Sequence, residues 1–201
     1  AGDLGRLPLG SRNADPCHPH GGLVPSHNGS PGAGGDAQRG EMARRGQRKY
    51  EAHQVRLSEH FSLIEMTKSQ TALRFGLDNN PDPAKVKSLR TLCEQVLEPA
   101  RKHFDRPVII NSGYRAEAVN RAIGGKATSQ HCKAEAADIE IPGVDNRELY
   151  QWLTDNCDYD QLILEYYTGD PASGWVHVSY VSHETNRRER LRIDKSGVRR
   201  D

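Results

Sequence analysis

Residues 129–141 read SQHCKAEAADIEI: a histidine, six mostly small or polar residues, an aspartate, then a short apolar alternation. On one helix the Cα atoms of His131 and Asp138 would sit roughly 10 Å apart, at ~1.5 Å rise per residue. On one strand the gap would be about 23 Å, at ~3.3 Å per residue. Neither arrangement lets both side chains touch one atom. For the pair to act together, His131 has to lie on a loop that curls back against a strand beginning near Ala136.

Upstream of that loop, PVII (107–110) reads as a strand running into NSGYR (111–115), and Ala116 to Ile123 as a short helix stopped by Gly124-Gly125. Downstream, Asp145 or Asn146 caps a helix with Leu149, Trp152 and Leu153 inward. QLILEY (161–166) and WVHVSY (175–180) are strands joined by YTGDPASG, a hairpin, and RRERLRID (187–194) alternates as an edge strand charged on one side. Towards the N-terminus, HFSLIEMTKSQTALRFG (60–76) carries a capping box, Ser62 with Glu65, and an apolar run closed by Gly76. After the loop NNPDP, Asp82 caps and Pro83 begins a longer helix with the stripe Val86, Leu89, Leu92, Cys93, Val96, Leu97, Ala100 and Phe104. Pro99 falls inside this stripe, which predicts a kink or tightened last turns. Helices come first and strands cluster late with short connections. The predicted class is α+β: a small antiparallel sheet with helices packed on one side.

The first fifty of the 201 residues hold abundant Gly, Pro, Ser, His and Arg (SHNGSPGAGGDAQRGE at 26–41) and almost no apolar periodicity. They account for much of the low hydrophobic content, 35%, and the mean hydropathy of −0.79. The expected organisation is a disordered tail over residues 1–56 and one domain over 57–201. The first methionine is Met42, and residues 1–41 are expected to be a leader or non-native segment. Net charge is +1 with both signs interspersed, so no nucleic-acid partner is indicated, and Arg44, Arg45, Arg48 and Lys49 read as a solvated tail. No apolar run is long enough for a membrane span and no signal peptide is seen. Cys17, Cys93, Cys132 and Cys157 form no CxxC, which argues against a disulfide framework or a cysteine-rich metal site.

Chemistry concentrates at the late strands. In WVHVSY a period of two puts Trp175, His177 and Ser179 on one face and Val176, Val178 and Tyr180 on the other. A lone strand histidine is usually a core or edge residue. With His131 and Asp138 it completes two imidazoles and a carboxylate, three of the four ligands of a tetrahedral zinc, leaving one position for water. Glu165, on the same face as Ile163, ends an apolar strand and is placed to serve as general base; Asp170, in the connecting loop, is the competing carboxylate. Arg115, after SGY, offers a fixed fork for a carboxylate or an oxyanion.

The pieces LSEHFSLIEMTKSQTA, VLEPARKHFDRPVIINSGYRAEAVNRAIGG, SQHCKAEAADIEI, YDQLILEYY and GWVHVSY followed by NRRERL occur in order along residues 57–192. Together they resemble the zinc D-Ala-D-Ala carboxypeptidase-like family of murein peptidases, especially its phage and prophage branch, whose distant relatives include the vancomycin-resistance dipeptidase and the hedgehog signalling domain. The resemblance implies one zinc on His131, Asp138 and His177, with Arg115, Ser129 and Gln130 on the substrate. It also implies a monomer that hydrolyses bonds next to D-amino acids in peptidoglycan peptides, acting from the host cytoplasm after release or from the virion. Two positions depart from the family pattern. Gly174 stands where many members carry the acidic base, three residues before the last histidine, and Ala134 stands where the family often has glycine. The first departure keeps a second expectation open: a non-catalytic zinc-containing structural or binding module of a phage particle.

Overall fold

A computed structural model describes residues 55–201. The expected disordered tail and the segment before Met42 lie outside the described residues, apart from Val55 and Arg56. These two are tied to the domain: Leu63 N–H donates to Val55 O at 2.9 Å, and Arg56 bridges to Ser62.

The capping box at Ser62 forms, with Ser62 N–H donating to Glu65 Oε2 at 2.8 Å, and begins α1 (Leu63–Thr67). The apolar run closed by Gly76 divides into two helices. Lys68 is extended, and the Ser69 hydroxyl accepts the Ala72 N–H at 3.1 Å to start α2 (Gln70–Phe75). A serine that can bond a nearby backbone N–H competes with helix continuation, and here it wins. Gly76 closes α2 at φ +63°, the left-handed cap that glycine adopts without strain. Asp82 accepts the Lys85 N–H at 2.9 Å and starts α3 (Pro83–Leu92).

Of the two expected responses to Pro99, tightened turns do not form. The chain widens instead into one π turn, Cys93–Leu97, in which Glu98 N–H reaches Cys93 O, before α4 (Glu98–Phe104) resumes. Pro99 has no N–H for the carbonyl of Gln95 and its ring crowds that carbonyl. A wider turn just upstream accommodates both effects. The stripe survives the change: Leu89, Leu92, Cys93, Val96, Leu97 and Ala100 are all fully buried.

Six strands form one sheet in the order β1-β2-β4-β3-β5-β6, with β1 Ile109–Ser112, β2 Ala136–Glu140, β3 Gln161–Glu165, β4 Trp175–Ser179, β5 Glu189–Asp194 and β6 Gly197–Arg200. Two further helices connect them, α5 (Glu117–Ala122) and α6 (Asn146–Asn156), the latter capped by Asp145. The β3–β4 hairpin forms as expected. One pairing is parallel, β3 with β5, where a wholly antiparallel sheet was expected. The cause is topological: β2 already occupies the outer edge of β4, so the chain leaving β4 can pair only on the far side of β3. It arrives beside the start of β3, with Gln161 opposite Glu189, and so runs in the same direction. The segment 187–194 is therefore interior, and β6 takes the edge with Arg199 and Arg200 exposed.

Alternation divides the sheet into two faces. Ala137, Ile139, Leu162, Leu164, Val176 and Val178 join the core with Leu92, Leu97, Leu149 and Leu153 from the helices. The opposite face carries one cross-strand row: Ser112 beside Asp138, Asp138 beside His177, His177 beside Ile163, Ile163 beside Leu191. Ile163 and Leu191 are buried but stand apart from the main core cluster. Among the described residues no helix is long and apolar enough to cross a membrane.

Candidate metal centre

Strand pairing brings Asp138 and His177 face to face, and the loop before β2 supplies His131. His177 Nδ1 lies 2.9 Å and His131 Nε2 3.2 Å from the same oxygen, Asp138 Oδ1. The loop curls back as the spacing requires. Ala134 takes the left-handed conformation at φ +63°, and the His131 carbonyl accepts the Arg115 N–H at 3.1 Å. His131 Nδ1 lies 2.7 Å from the Gly113 carbonyl. That carbonyl can only accept, so Nδ1 carries a proton and Nε2 is the nitrogen turned towards Asp138.

These donors fit a metal. Two imidazole nitrogens and one carboxylate oxygen lie within 4.8 Å of one another. All three side chains are buried: His131 is 4%, Asp138 9% and His177 6% exposed. Burial by itself would raise the pKa of Asp138, but hydrogen bonds to His131 and His177 outweigh it and hold the carboxyl below its ordinary range. Burial pushes the His131 pKa down, which favours the neutral imidazole that a metal requires. Nitrogen donors with one carboxylate suit zinc, whereas magnesium and calcium take oxygen shells.

A family model described as Peptidase M15 matches residues 59–179, from before α1 to the end of β4. The chain belongs to the Peptidase M15 family. This is the zinc D-Ala-D-Ala carboxypeptidase-like family of hydrolases. No curated protein matches the chain.

The Peptidase M15 match spans the other expected site residues, and the structure locates each of them. Arg115 donates from Nη2 to Asp138 Oδ2 at 3.3 Å, while its buried Nε has no acceptor. Glu165 sits at the end of β3 opposite Trp175, on the face of Ile163. Because Ile163 directly faces His177, Glu165 lies on the diagonal and not beside His177, a span a glutamate can cover. Its carboxyl has no hydrogen-bond or ion-pair partner among the described residues. Burial first, then the nearby Asp138 charge, raises its pKa, with His177 and Arg115 opposing. Asp170 is exposed and turned into its own loop, where Oδ1 accepts the Ala172 N–H at 3.0 Å. Gln130 donates its amide to Asp160 Oδ2 at 2.6 Å, and Ser129 enters the loop through backbone bonds to Lys126 and Cys132.

Both departures from the family pattern have a backbone basis. At Gly174, φ is +68° and an added Cβ would lie 1.9 Å from the Glu165 carbonyl oxygen. No acidic side chain fits there with this hairpin. Ala134 occupies a left-handed position, which glycine adopts with less strain than alanine.

Three contributors escape sequence reasoning. The Gly113 carbonyl fixes the His131 tautomer, and an added Cβ at Gly113 would lie 2.3 Å from the Met66 carbonyl oxygen. Ser112 stands opposite Asp138. Asn79, in a stretch that reads only as a loop, brackets Arg115 by donating to Tyr114 O at 3.1 Å and accepting Ala116 N–H at 2.7 Å. A backbone carbonyl leaves no sequence signal, and an asparagine in a turn looks like any turn residue.

Proposed function

We propose that this chain is a zinc-dependent peptidase that hydrolyses peptide bonds next to D-amino acids in peptidoglycan. The observation carrying the proposal is the convergence of His131, Asp138 and His177 on one buried point, with Glu165, which has no hydrogen-bond or ion-pair partner among the described residues, on the same face of a Peptidase M15 domain. His131 Nε2, His177 Nδ1 and Asp138 would hold the metal. When bound, zinc supplies Lewis acidity, polarising a carbonyl and acidifying water.

Glu165 then handles the proton. Its carboxylate takes a proton from the attacking water and returns it to the leaving amine, so the carboxylate is regenerated as the bond is cut. Partial burial makes it a stronger base than a solvated glutamate. Arg115 is held by Asp138 on one side and by the Asn79-anchored backbone on the other, and its guanidinium steadies the negative charge on the former carbonyl oxygen. The cell wall is the place of action, reached by release from the cytoplasm or on a virion.

Gly174 favours a second reading, a zinc-containing module without turnover, since the usual acid is missing there. Digestion of purified murein, with and without chelator and read by mass spectrometry, separates the two. Hydrolysis of bonds flanking D-residues that stops with chelator supports the peptidase. Intact murein under all conditions, with zinc retained, supports the inert module.

A further inference from the structure

On the β1 side of the metal cluster lies a cavity of about 370 Å3, lined by Lys68, Ser69, Thr71, Asn111, Ser112 and Arg115 among others. It abuts the cluster directly, since Ser112 pairs with Asp138 and Arg115 bonds the Asp138 carboxylate. Glu165, the proposed base, lies on the opposite side, two strands beyond β2. A peptide lying across the cluster from Glu165 towards β1 would place its residues on one side of the cleaved bond in this cavity.

The charges of the lining are one-sided. Among the described residues, two cations and several hydroxyl and amide groups line it, and no aspartate or glutamate does. Arg115 is already engaged with Asp138, but Lys68 is exposed and has no hydrogen-bond or ion-pair partner among the described residues. Its place follows from the local fold. The break between α1 and α2 leaves Lys68 extended at the rim, where one continuous helix would have turned it elsewhere.

We propose that this cavity is a carboxylate subsite, in which Lys68, assisted by Ser69, Thr71 and Asn111, receives a free carboxylate of the peptide on the β1 side of the cleaved bond. The identity of that ligand as a murein-type peptide rests on the peptidase reading above. Lysine binds such a group as a point charge with up to three donors, and neighbouring hydroxyls complete the shell. The subsite would make substrates with a free acid there preferred over their amides.

The test is stopped-flow binding to the zinc-loaded protein, read before turnover. The probes are the tetrapeptide L-Ala-D-Glu-L-Lys-D-Ala and versions with each carboxylate in turn converted to a carboxamide. One amidation should weaken binding to the wild type about tenfold, the scale of one charge-assisted hydrogen bond near the surface. That discrimination should vanish in Lys68→Glu, persist in Lys68→Arg, and persist in Lys87→Glu, a control at an exposed lysine on α3. If no amidation matters, or discrimination survives Lys68→Glu, or Lys87→Glu abolishes it equally, the subsite is overturned. Cleavage is followed on the same samples. Discrimination without cleavage counts against the peptidase reading and supports carboxylate binding at Lys68, whereas cleavage without discrimination overturns the subsite alone.

Discussion

The two faces of the sheet are built from the same strands, one residue out of step, and hold together by opposite means. On the packed face, Ala137, Ile139, Leu162, Leu164, Val176 and Val178 are at most 2% exposed and are surrounded by apolar side chains. Contacts of that kind are non-directional, so volume matters and identity matters less. On the other face, Asp138 and His177 are nearly as buried but would be costly to bury alone. They are tolerated because each supplies what the other lacks: Asp138 bonds both imidazoles and Arg115, and the Gly113 carbonyl satisfies the far side of His131. Packing is therefore redundant on one face, while polar satisfaction on the other depends on single atoms.

That contrast can be broken most severely at Glu165. Glu165→Gln keeps the shape and the metal ligands, and should lower hydrolysis by roughly 10²–10⁴ while retaining stoichiometric zinc. Asp170→Asn should leave the rate near wild type, since that carboxylate is bound within its own loop. An inactive Asp170→Asn beside an active Glu165→Gln would transfer the role of base to Asp170.

The packed face should answer with stability and not with rate. Leu162→Ala removes a fully buried side chain and should cost about 2–5 kcal/mol in denaturant unfolding. Zinc content and turnover of the remaining folded protein should be unchanged. Loss of zinc at full stability would mean that the two faces are not separable.

Asp160 joins the His131 loop, through Gln130, to Arg187 ahead of β5. Burial would raise its pKa, but hydrogen bonds from Arg187 and Gln130 outweigh burial and lower it. A carboxyl depressed in the folded state stabilises the protein above its unfolded pKa, about 3.9, and that contribution is lost as pH falls through the folded value. Asp160→Asn should therefore cost about 1–3 kcal/mol at neutral pH. It should also flatten the fall in stability below about pH 4, as measured by thermal unfolding across pH.

The smallest effect belongs to Ala134. Relief of left-handed strain, about 1–2 kcal/mol, is opposed by loss of a fully buried methyl worth about 0.8 kcal/mol. Ala134→Gly should stabilise by less than about 1 kcal/mol in chemical denaturation, and destabilisation would show that the methyl outweighs the strain.

Much of the fold was legible because alternation in WVHVSY and LILEY separates the two faces before any pairing is known, and the distance argument forces His131 onto a returning loop. What escaped reading depended on partners remote in sequence. The parallel placement of β5 follows from β2 occupying the edge of β4, which residues 187–194 do not encode. The split between α1 and α2 turns on a single hydroxyl at Ser69, and the π turn on how the chain relieves Pro99. At the site, the ligand types were visible, whereas the Gly113 carbonyl and the Asn79 bracket are backbone and turn features with no pattern of their own.

The central claim is that one row of this sheet, completed by a loop histidine, holds a single zinc. Elemental analysis of purified protein tests it most directly. The account predicts about one zinc per chain in the wild type, lost in His131→Ala and in His177→Ala, with a lower thermal midpoint once the metal is stripped. Full zinc retention in both variants, or no zinc in the wild type after purification without chelator and supplementation with the ion, would contradict it.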